Sequence, residues 1–156
     1  MTTKKMAIIA TKGALDMAYP PLILASTAAA LDWEVQIFFT FYGLALLRKD
    51  LSGIKISPLA NPAMPMPMPM PVIVSMLPGM EAMATSMMKA KMKKKGVASL
   101  EELRSLCLEA EVKFIACQMT VDLFDYQKSD FIDGIEFGGA ATFLQFAGET
   151  DVCLFI

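Results

Sequence analysis

Two short apolar runs, separated by one long alanine-rich segment, occupy the first 40 residues of the chain. The runs at residues 6–11 and 34–40 have the length and side chains of β-strands, and residues 15–31 have the length of a helix. Pro20 and Pro21 within that segment must either start the regular helix or kink it. A strand, a helix and a second strand in this order form a βαβ unit, which needs a parallel sheet with helices on both faces. We therefore predict an α/β fold, a three-layer α/β/α sandwich around a mainly parallel sheet of about five strands.

The remaining predicted elements continue this pattern of strands and helices. Further strands are predicted at residues 112–117 and 151–156, with weaker candidates at 72–75 and 134–137. Helices are predicted at residues 41–48, from 79 to the lysines of 89–95, and at 99–110, 120–124 and 139–147. The chain has 156 residues, enough to bury a sizeable core, so we predict one domain spanning residues 1–156.

The longest stretch without a charged residue runs from residue 56 to residue 80, and its 25 residues would suffice to span a bilayer. It contains seven prolines, however, five of them between residues 62 and 71. A membrane helix is excluded, because each internal proline removes a hydrogen-bond donor and clashes with the preceding turn. We predict an irregular segment at about 58–78, in which the alternating Met and Pro of 61–71 are extended and polyproline-like.

The composition is apolar for a globular protein, with 55% hydrophobic residues and 19% charged residues, against roughly a quarter charged on average. Much of the surface is therefore expected to be covered, either by a neighbouring subunit in a homo-oligomer or by peripheral contact with a membrane. A net charge of −2 gives no reason to expect nucleic-acid binding, and the absence of histidine excludes His-based triads and the common His-containing zinc sites. The methionines at 64–70 would suit Cu(I), but no cysteine or histidine accompanies them, so we predict no metal.

The start of the chain carries no sign of an export signal. The apolar run at 6–11 is too short for the core of a signal peptide, and no small-residue cleavage site follows it. We predict a cytoplasmic protein, in which cysteines stay reduced unless they take part in redox or sulfur chemistry.

The three cysteines are too far apart in sequence for a thioredoxin-like motif or a compact thiolate metal site. Cys117 ends the predicted strand 112–117, and reactive groups of parallel sheets gather at the carboxyl ends of the strands. With Thr120 as a cap for the following helix, the amino terminus of that helix would lower the pKa of the Cys117 thiol. The alternative is that Cys117 is a small apolar residue that closes the core.

The other two cysteines fit packing positions better. Cys107 shares one helical face with Leu100, Leu103 and Ala110, so we favour packing, although the short turn before the next strand could also bring it near Cys117. Cys153 lies inside the last predicted strand, and we assign it to the core.

Two features could bind anions. Lys12 and Gly13 follow the first strand at the sheet edge expected for Cys117, where backbone N–H groups and one ammonium could hold an anion such as thiosulfate. The five lysines at 89–95 fit a solvated helix end better than a binding patch.

Several stretches resemble a known family. They lie at residues 11–16 (TKGALD), 38–44 (FFTFYGL), 79–85 (GMEAMAT), 114–119 (FIACQM) and 154–156 (LFI). In this order they resemble the DsrE/DsrF-like family, in the branch often labelled peroxiredoxin-like, although nothing here resembles a true peroxiredoxin active site. The resemblance implies an α/β sandwich that forms homo-oligomers and serves cytoplasmic sulfur relay. It also implies that Cys117, and with less support Cys107, carries a persulfide or a thiosulfonate.

Together these observations favour a sulfurtransferase or sulfur carrier. Cys117 thiolate would attack a sulfane sulfur and pass it to a partner thiol, with help from Cys107. Lys12 and Gly13 would bind thiosulfate or polysulfide, the partner would be a TusA-like or rhodanese-like sulfur-carrier protein, and no cofactor is expected. The alternative is a non-catalytic oligomeric binding or scaffold protein whose cysteines are all core residues.

Overall fold

The computed structural model describes residues 2–58 and 71–156, and within these ranges five strands form one sheet. The strands are β1 (Lys5–Ala10), β2 (Glu34–Phe39), β3 (Lys113–Cys117), β4 (Glu136–Gly138) and β5 (Val152–Phe155). Their order in the sheet is β4-β3-β2-β1-β5, and every neighbouring pair is parallel. This confirms the predicted parallel sheet of about five strands.

Helices connect the strands and cover both faces of the sheet. They are α1 (Leu15–Ala30), α2 (Val72–Ser75), α3 (Met80–Lys94), α4 (Leu100–Glu109), α5 (Gln118–Leu123) and α6 (Ala140–Ala147), with 3₁₀ helices at Phe41–Leu47 and Lys128–Asp130. In α1, Pro20 and Pro21 lie inside the helix and do not start it. A capping box begins α4: Ser99 Oγ accepts from the Glu102 N–H, and the Glu102 carboxylate accepts from the Ser99 N–H. No helix within the described ranges has both the length and the apolar character needed to cross a membrane.

The strand predicted at residues 72–75 is wrong, because these residues form the helical turn α2. The backbone N–H of Val74 donates to the carbonyl of Pro71, and the N–H of Met76 donates to that of Ile73. A short β-branched run becomes a strand only where a sheet edge accepts its hydrogen bonds, and here the bonds close locally instead. Most of the extended segment predicted at 61–71 lies outside the described residues.

Alternation along the strands divides the core between the two faces of the sheet. On one face Ile8, Ile37 and Phe114 belong to a large cluster with residues of α1 and α4. On the other face a smaller cluster packs against α6, and it consists of Ala7, Phe38, Ile115, Cys117 and Phe143. The rings of Phe38 and Phe143 stack with their centroids 5.1 Å apart. These two clusters, with the sheet between them, make the three layers of the predicted sandwich.

Two glycines allow the loops at the carboxyl edge of the sheet to approach each other closely. A Cβ on Gly43 would lie 2.1 Å from the carbonyl oxygen of Ala10, and a Cβ on Gly13 would lie 2.5 Å from that of Tyr42. Contacts this short exclude a side chain at either position unless the backbone shifts. The loop after β1 and the 3₁₀ helix after β2 are thereby held together beside the end of β3.

Candidate functional site

Cys117 is the last residue of β3, an internal strand, and α5 begins at the next residue. Its side chain is 5% exposed and belongs to the cluster beneath α6. The predicted position at the carboxyl end of a strand followed by a helix is therefore confirmed. Thr120 is not the cap of that helix, however, because Cys117 itself is the capping residue and Thr120 lies within α5.

Thr40 lies beside Cys117 because of the register in which β2 and β3 pair. Phe39 at the end of β2 pairs with Ala116, so the next residue of each strand, Thr40 and Cys117, lie side by side at the carboxyl edge. Paired residues of neighbouring strands point to the same face of the sheet, which puts both side chains on the α6 side. Thr40 could not be identified from the sequence, because its position beside Cys117 depends on this pairing and no local pattern indicates it.

The hydroxyl of Thr120 connects α5 to the end of β2. Thr120 is completely buried, and its Oγ1 accepts a hydrogen bond from the Phe41 N–H at 3.2 Å. The same oxygen lies 3.2 Å from Thr40 Oγ1, and either hydroxyl can donate in that contact. Two threonine hydroxyls therefore form one hydrogen-bonded pair beside Cys117.

Opposing effects act on the pKa of the Cys117 thiol. Burial by itself would raise the pKa, because it disfavours the charged thiolate. Hydrogen bonds from the Thr120 and Thr40 side chains, and from the backbone N–H groups of Thr120 and Met119, lower it and outweigh burial. The pKa of Cys117 therefore lies below its ordinary value, which increases the fraction of nucleophilic thiolate near neutral pH.

Cys107 lies in a different environment. Its side chain is fully buried in the cluster on the α1 and α4 face, and its thiol donates a hydrogen bond to the Leu22 carbonyl at 3.4 Å. Burial raises the pKa of Cys107 to about 11, against a weaker opposing hydrogen bond from the Ser26 backbone. The packing interpretation of Cys107 is confirmed, and the structure does not bring Cys107 near Cys117, since the sheet lies between them.

The assignment of Cys153 to the core is wrong, because this cysteine is exposed. β5 is an edge strand, and Cys153 pairs with Ala7, whose side chain points to the α6 face. Leu154 points to the opposite face and is half-buried, whereas Phe155 next to it is 73% exposed. The short helix α6 does not cover this part of the sheet. Although the sequence of β5 is apolar throughout, the strand is therefore buried on one side only.

Lys12 and Gly13 follow β1 at the same edge of the sheet as Cys117, as predicted. They line an open cleft of about 440 Å³ whose wall is mainly aromatic, formed by Phe41, Tyr42, Phe124 and Tyr126. Cys117 does not line this cleft, and β2 separates β1 from β3, which corresponds to roughly 10 Å between the two strands. Among the described residues, Lys12 forms no ion pair.

The charged side chains and cysteines of the described residues were compared with the ligand sets of metal centres. In the part of the chain that the structure describes, no group of three or more Cys, Asp or Glu side chains is arranged to hold a metal ion. The methionines at 64–70 lie outside it. The five lysines at 89–95 are all exposed, which agrees with a solvated helix end.

The fold and the site together define a class of protein: an α/β sandwich on a parallel sheet, with a thiolate-favouring cysteine at the carboxyl end of an internal strand. The sequence model of the DsrE/DsrF/DrsH-like family matches residues 2–155. The chain belongs to this family, and the resemblance seen in the sequence is confirmed.

Two known proteins are similar in sequence to this chain over nearly its whole length. The chain is 67% identical over 160 residues to the "Sulfur carrier protein DsrE2" of Allochromatium vinosum, with all of both chains covered. It is 36% identical over 158 residues to the uncharacterized protein YrkE of Bacillus subtilis, covering 99% of this chain and 98% of that protein.

Solved structures support the fold. The ychN protein of E. coli superimposes with a TM-score of 0.56 at 14% identity, covering 99% of this chain and 100% of that one. Protein MTH1491 of Methanobacterium thermoautotrophicum, described as of unknown function, gives a TM-score of 0.54 at 13% identity, covering 97% and 98%. At such low sequence identity the two structures support the assignment of the fold alone.

Proposed function

We propose that this protein is a cytoplasmic sulfur carrier that holds sulfane sulfur on Cys117 as a persulfide and passes it to a partner thiol. The observation that carries the proposal is the environment of Cys117, a buried thiol whose pKa is lowered by hydroxyl and backbone donors. The similarity to a protein named a sulfur carrier, which covers both chains completely, supports the same role.

Loading is a nucleophilic substitution at sulfur. The Cys117 thiolate attacks the sulfane sulfur of a polysulfide or of thiosulfate and forms a new S–S bond. The S–S bond of the donor breaks, and a shorter polysulfide or sulfite leaves with the electron pair. In the transfer step the partner thiolate attacks the outer sulfur of the persulfide, and Cys117 leaves as a thiolate. A lowered pKa favours this second step, because a more stable thiolate is a better leaving group.

The other candidate residues have different proposed roles in sulfur loading and transfer. We assign Lys12 and Gly13 to binding of the anionic donor, through an ammonium without an ion-pair partner among the described residues and through the backbone of the tight turn. Cys107 gains no support as a second acceptor, because it is buried on the other side of the sheet. The scaffold alternative assumed that all three cysteines are core residues, which holds for Cys107 and Cys117 but not for the exposed Cys153.

A transfer experiment tests the proposed function. The reduced protein is treated with polysulfide, freed from excess reagent and mixed with a reduced TusA-like or rhodanese-like sulfur-carrier protein, and intact masses are recorded for both. We expect the protein to gain the mass of one sulfur and to lose it as the acceptor gains it. A preparation whose thiols were blocked beforehand is the control. If the acceptor gains as much sulfur from the blocked protein, or none from the loaded protein, a carrier role is contradicted.

We also propose that the protein is a homo-oligomer in which the methionine-rich region is covered. Large apolar side chains of α2, α3 and the turn between them are exposed, namely Ile73 (77%), Met76 (77%), Met83 (53%) and Met87 (67%). Burial of such a surface is favourable by roughly 25 cal/mol per Å². Light scattering at micromolar concentration is expected to give a mass above that of one chain. A stable monomer that sediments with lipid vesicles would point instead to the predicted alternative, contact with a membrane surface.

A further inference from the structure

The geometry points to Thr120 and Thr40 as positioning residues for Cys117: their paired hydroxyls turn toward the Cys117 sulfur whenever it carries negative charge. The sequence indicated Thr120 only as a helix cap and gave no sign of Thr40, and both residues are fixed by contacts between three different elements. The inference rests on the proposed function, in which the negative charge is that of the Cys117 thiolate. This thiolate attacks the sulfur donor, and it is the leaving group when the sulfur is passed to the partner.

The hydrogen-bond donors and acceptors of the two threonine hydroxyls show how the pair can stabilise a charged sulfur. A threonine hydroxyl donates one hydrogen bond and accepts up to two. Thr120 Oγ1 already accepts from the Phe41 N–H, so its own proton is free for Thr40 or for the sulfur of Cys117. Thr40 has the same choice between Thr120 and Cys117. When Cys117 loses its proton, each hydroxyl can turn its own proton from the other threonine to the sulfur.

This pre-arrangement matters because the site is buried. Thr120 is fully buried and Cys117 is 5% exposed, so water contributes little to the stabilisation of a charged sulfur. Donors that are already in place stabilise charge in such a site without the cost of reorganising solvent. The pair therefore replaces part of the hydration that the thiolate would have at the surface.

Charged groups do not supply this stabilisation. On β3 and β4, Lys113 and Glu136 pair with each other at 3.2 Å at the far end of the strands. On α5, the amide of Gln118 donates to the Asp122 carboxylate at 2.7 Å. The other described residues of the cluster that contains Cys117 are all apolar, namely Ala7, Ile9, Phe38, Ile115, Phe143, Phe146 and Ala147. Hydroxyl and backbone donors are therefore the groups that lower the pKa of Cys117 against the effect of burial.

The test is the pH dependence of alkylation at Cys117. Thr120→Val keeps the shape of the side chain and removes the hydroxyl, and Thr120→Ser is the matched control that keeps it. The rate of reaction with iodoacetamide is measured across a pH series by mass spectrometry. Trypsin cleavage after Lys113 and Lys128 puts Cys117 on its own peptide, apart from the other two cysteines.

We expect Thr120→Val to raise the midpoint of the alkylation profile by about one pH unit. Below the midpoint this makes alkylation about tenfold slower, because a hydrogen bond to a charged group is lost. The high-pH plateau should stay near that of the native protein, and Thr120→Ser should keep the native midpoint. Thr40→Val, at a half-buried position, should shift the midpoint in the same direction and serves if Thr120→Val does not fold.

Three outcomes would overturn the inference. The first is an unchanged midpoint in both valine variants. The second is alkylation that is slowed equally at every pH, which would mean that access to Cys117 has changed. The third is alkylation of the serine variant that is as slow as that of the valine variant, which would mean that packing and not the hydroxyl is responsible. Alkylation needs no sulfur donor, so these results do not depend on whether the protein carries sulfur. A failed transfer experiment would in turn leave the role of the hydroxyls intact.

Discussion

Replacement of Cys117 by serine is expected to remove nearly all of the sulfur that polysulfide or thiosulfate loads onto the protein. Serine is similar in size and fits the same position, but its hydroxyl stays protonated and does not attack sulfane sulfur. The transfer to an acceptor protein should fall with the loading, because both steps use the same atom. Intact mass before and after addition of the acceptor measures both quantities.

Cys153→Ser is the matched control for this variant. Cys153 is exposed, so a small reagent can reach it, but it lies on edge strand β5, away from the threonine pair. Its replacement is expected to leave the transferable sulfur unchanged. If Cys153→Ser abolished loading and Cys117→Ser preserved it, the assignment of the site to Cys117 would be wrong. Thermal unfolding of both variants confirms that each is folded when it is assayed.

The second large effect concerns Cys107 and the stability of the fold at alkaline pH. Burial raises the pKa of Cys107 from 9.0 to about 11 in the folded protein. Between these values the unfolded chain loses a proton that the folded chain keeps. The stabilisation is therefore complete below about pH 9 and is lost as the pH rises through about 11. Two pH units correspond to about 3 kcal/mol in the free energy of unfolding, most of which is lost by pH 11.

Urea unfolding at pH 8 and at pH 11 measures this contribution when the native protein is compared with Cys107→Ala. The alanine variant lacks the titrating group, and the cavity it leaves should lower stability by the same amount at both pH values. All other titratable groups are the same in both proteins, so their effects cancel in the comparison. We expect the native protein to lose about 2 kcal/mol more than the variant between the two pH values. Equal losses would mean that the Cys107 thiol does not resist ionisation in the folded state.

The fold was predictable from the sequence because its main signals are local. The run at residues 6–11, the helix at 15–31 and the run at 34–40 determine a parallel βαβ unit by length and pattern alone. The strand predicted at 72–75 shows the limit of such signals. A short β-branched run is compatible with a strand or a helical turn, and the choice depends on whether a sheet edge is available.

The candidate site was only partly predictable, for the same reason. The position of Cys117 at the end of a strand follows from the chain itself, whereas its nearness to Thr40 depends on the pairing of β2 with β3. The exposure of Cys153 was missed because burial of an edge strand depends on how far the neighbouring helix extends. Lys12 was placed at the correct edge, but the strand order puts β2 between it and Cys117. Sequence patterns thus locate single residues along elements, and the order of the strands decides which residues meet.

The peptide that carries the bound sulfur shows whether Cys117 is the residue that holds it. The native protein is loaded with polysulfide, the free thiols are alkylated, and the tryptic peptides are examined by mass spectrometry without reduction. Residues 114–128 carry Cys117, residues 105–113 carry Cys107, and residues 129–156 carry Cys153. We expect the additional sulfur on the 114–128 peptide, and we expect it to disappear from that peptide when an acceptor thiol is added. Transferable sulfur on either of the other two peptides, with none on 114–128, would contradict the assignment to Cys117.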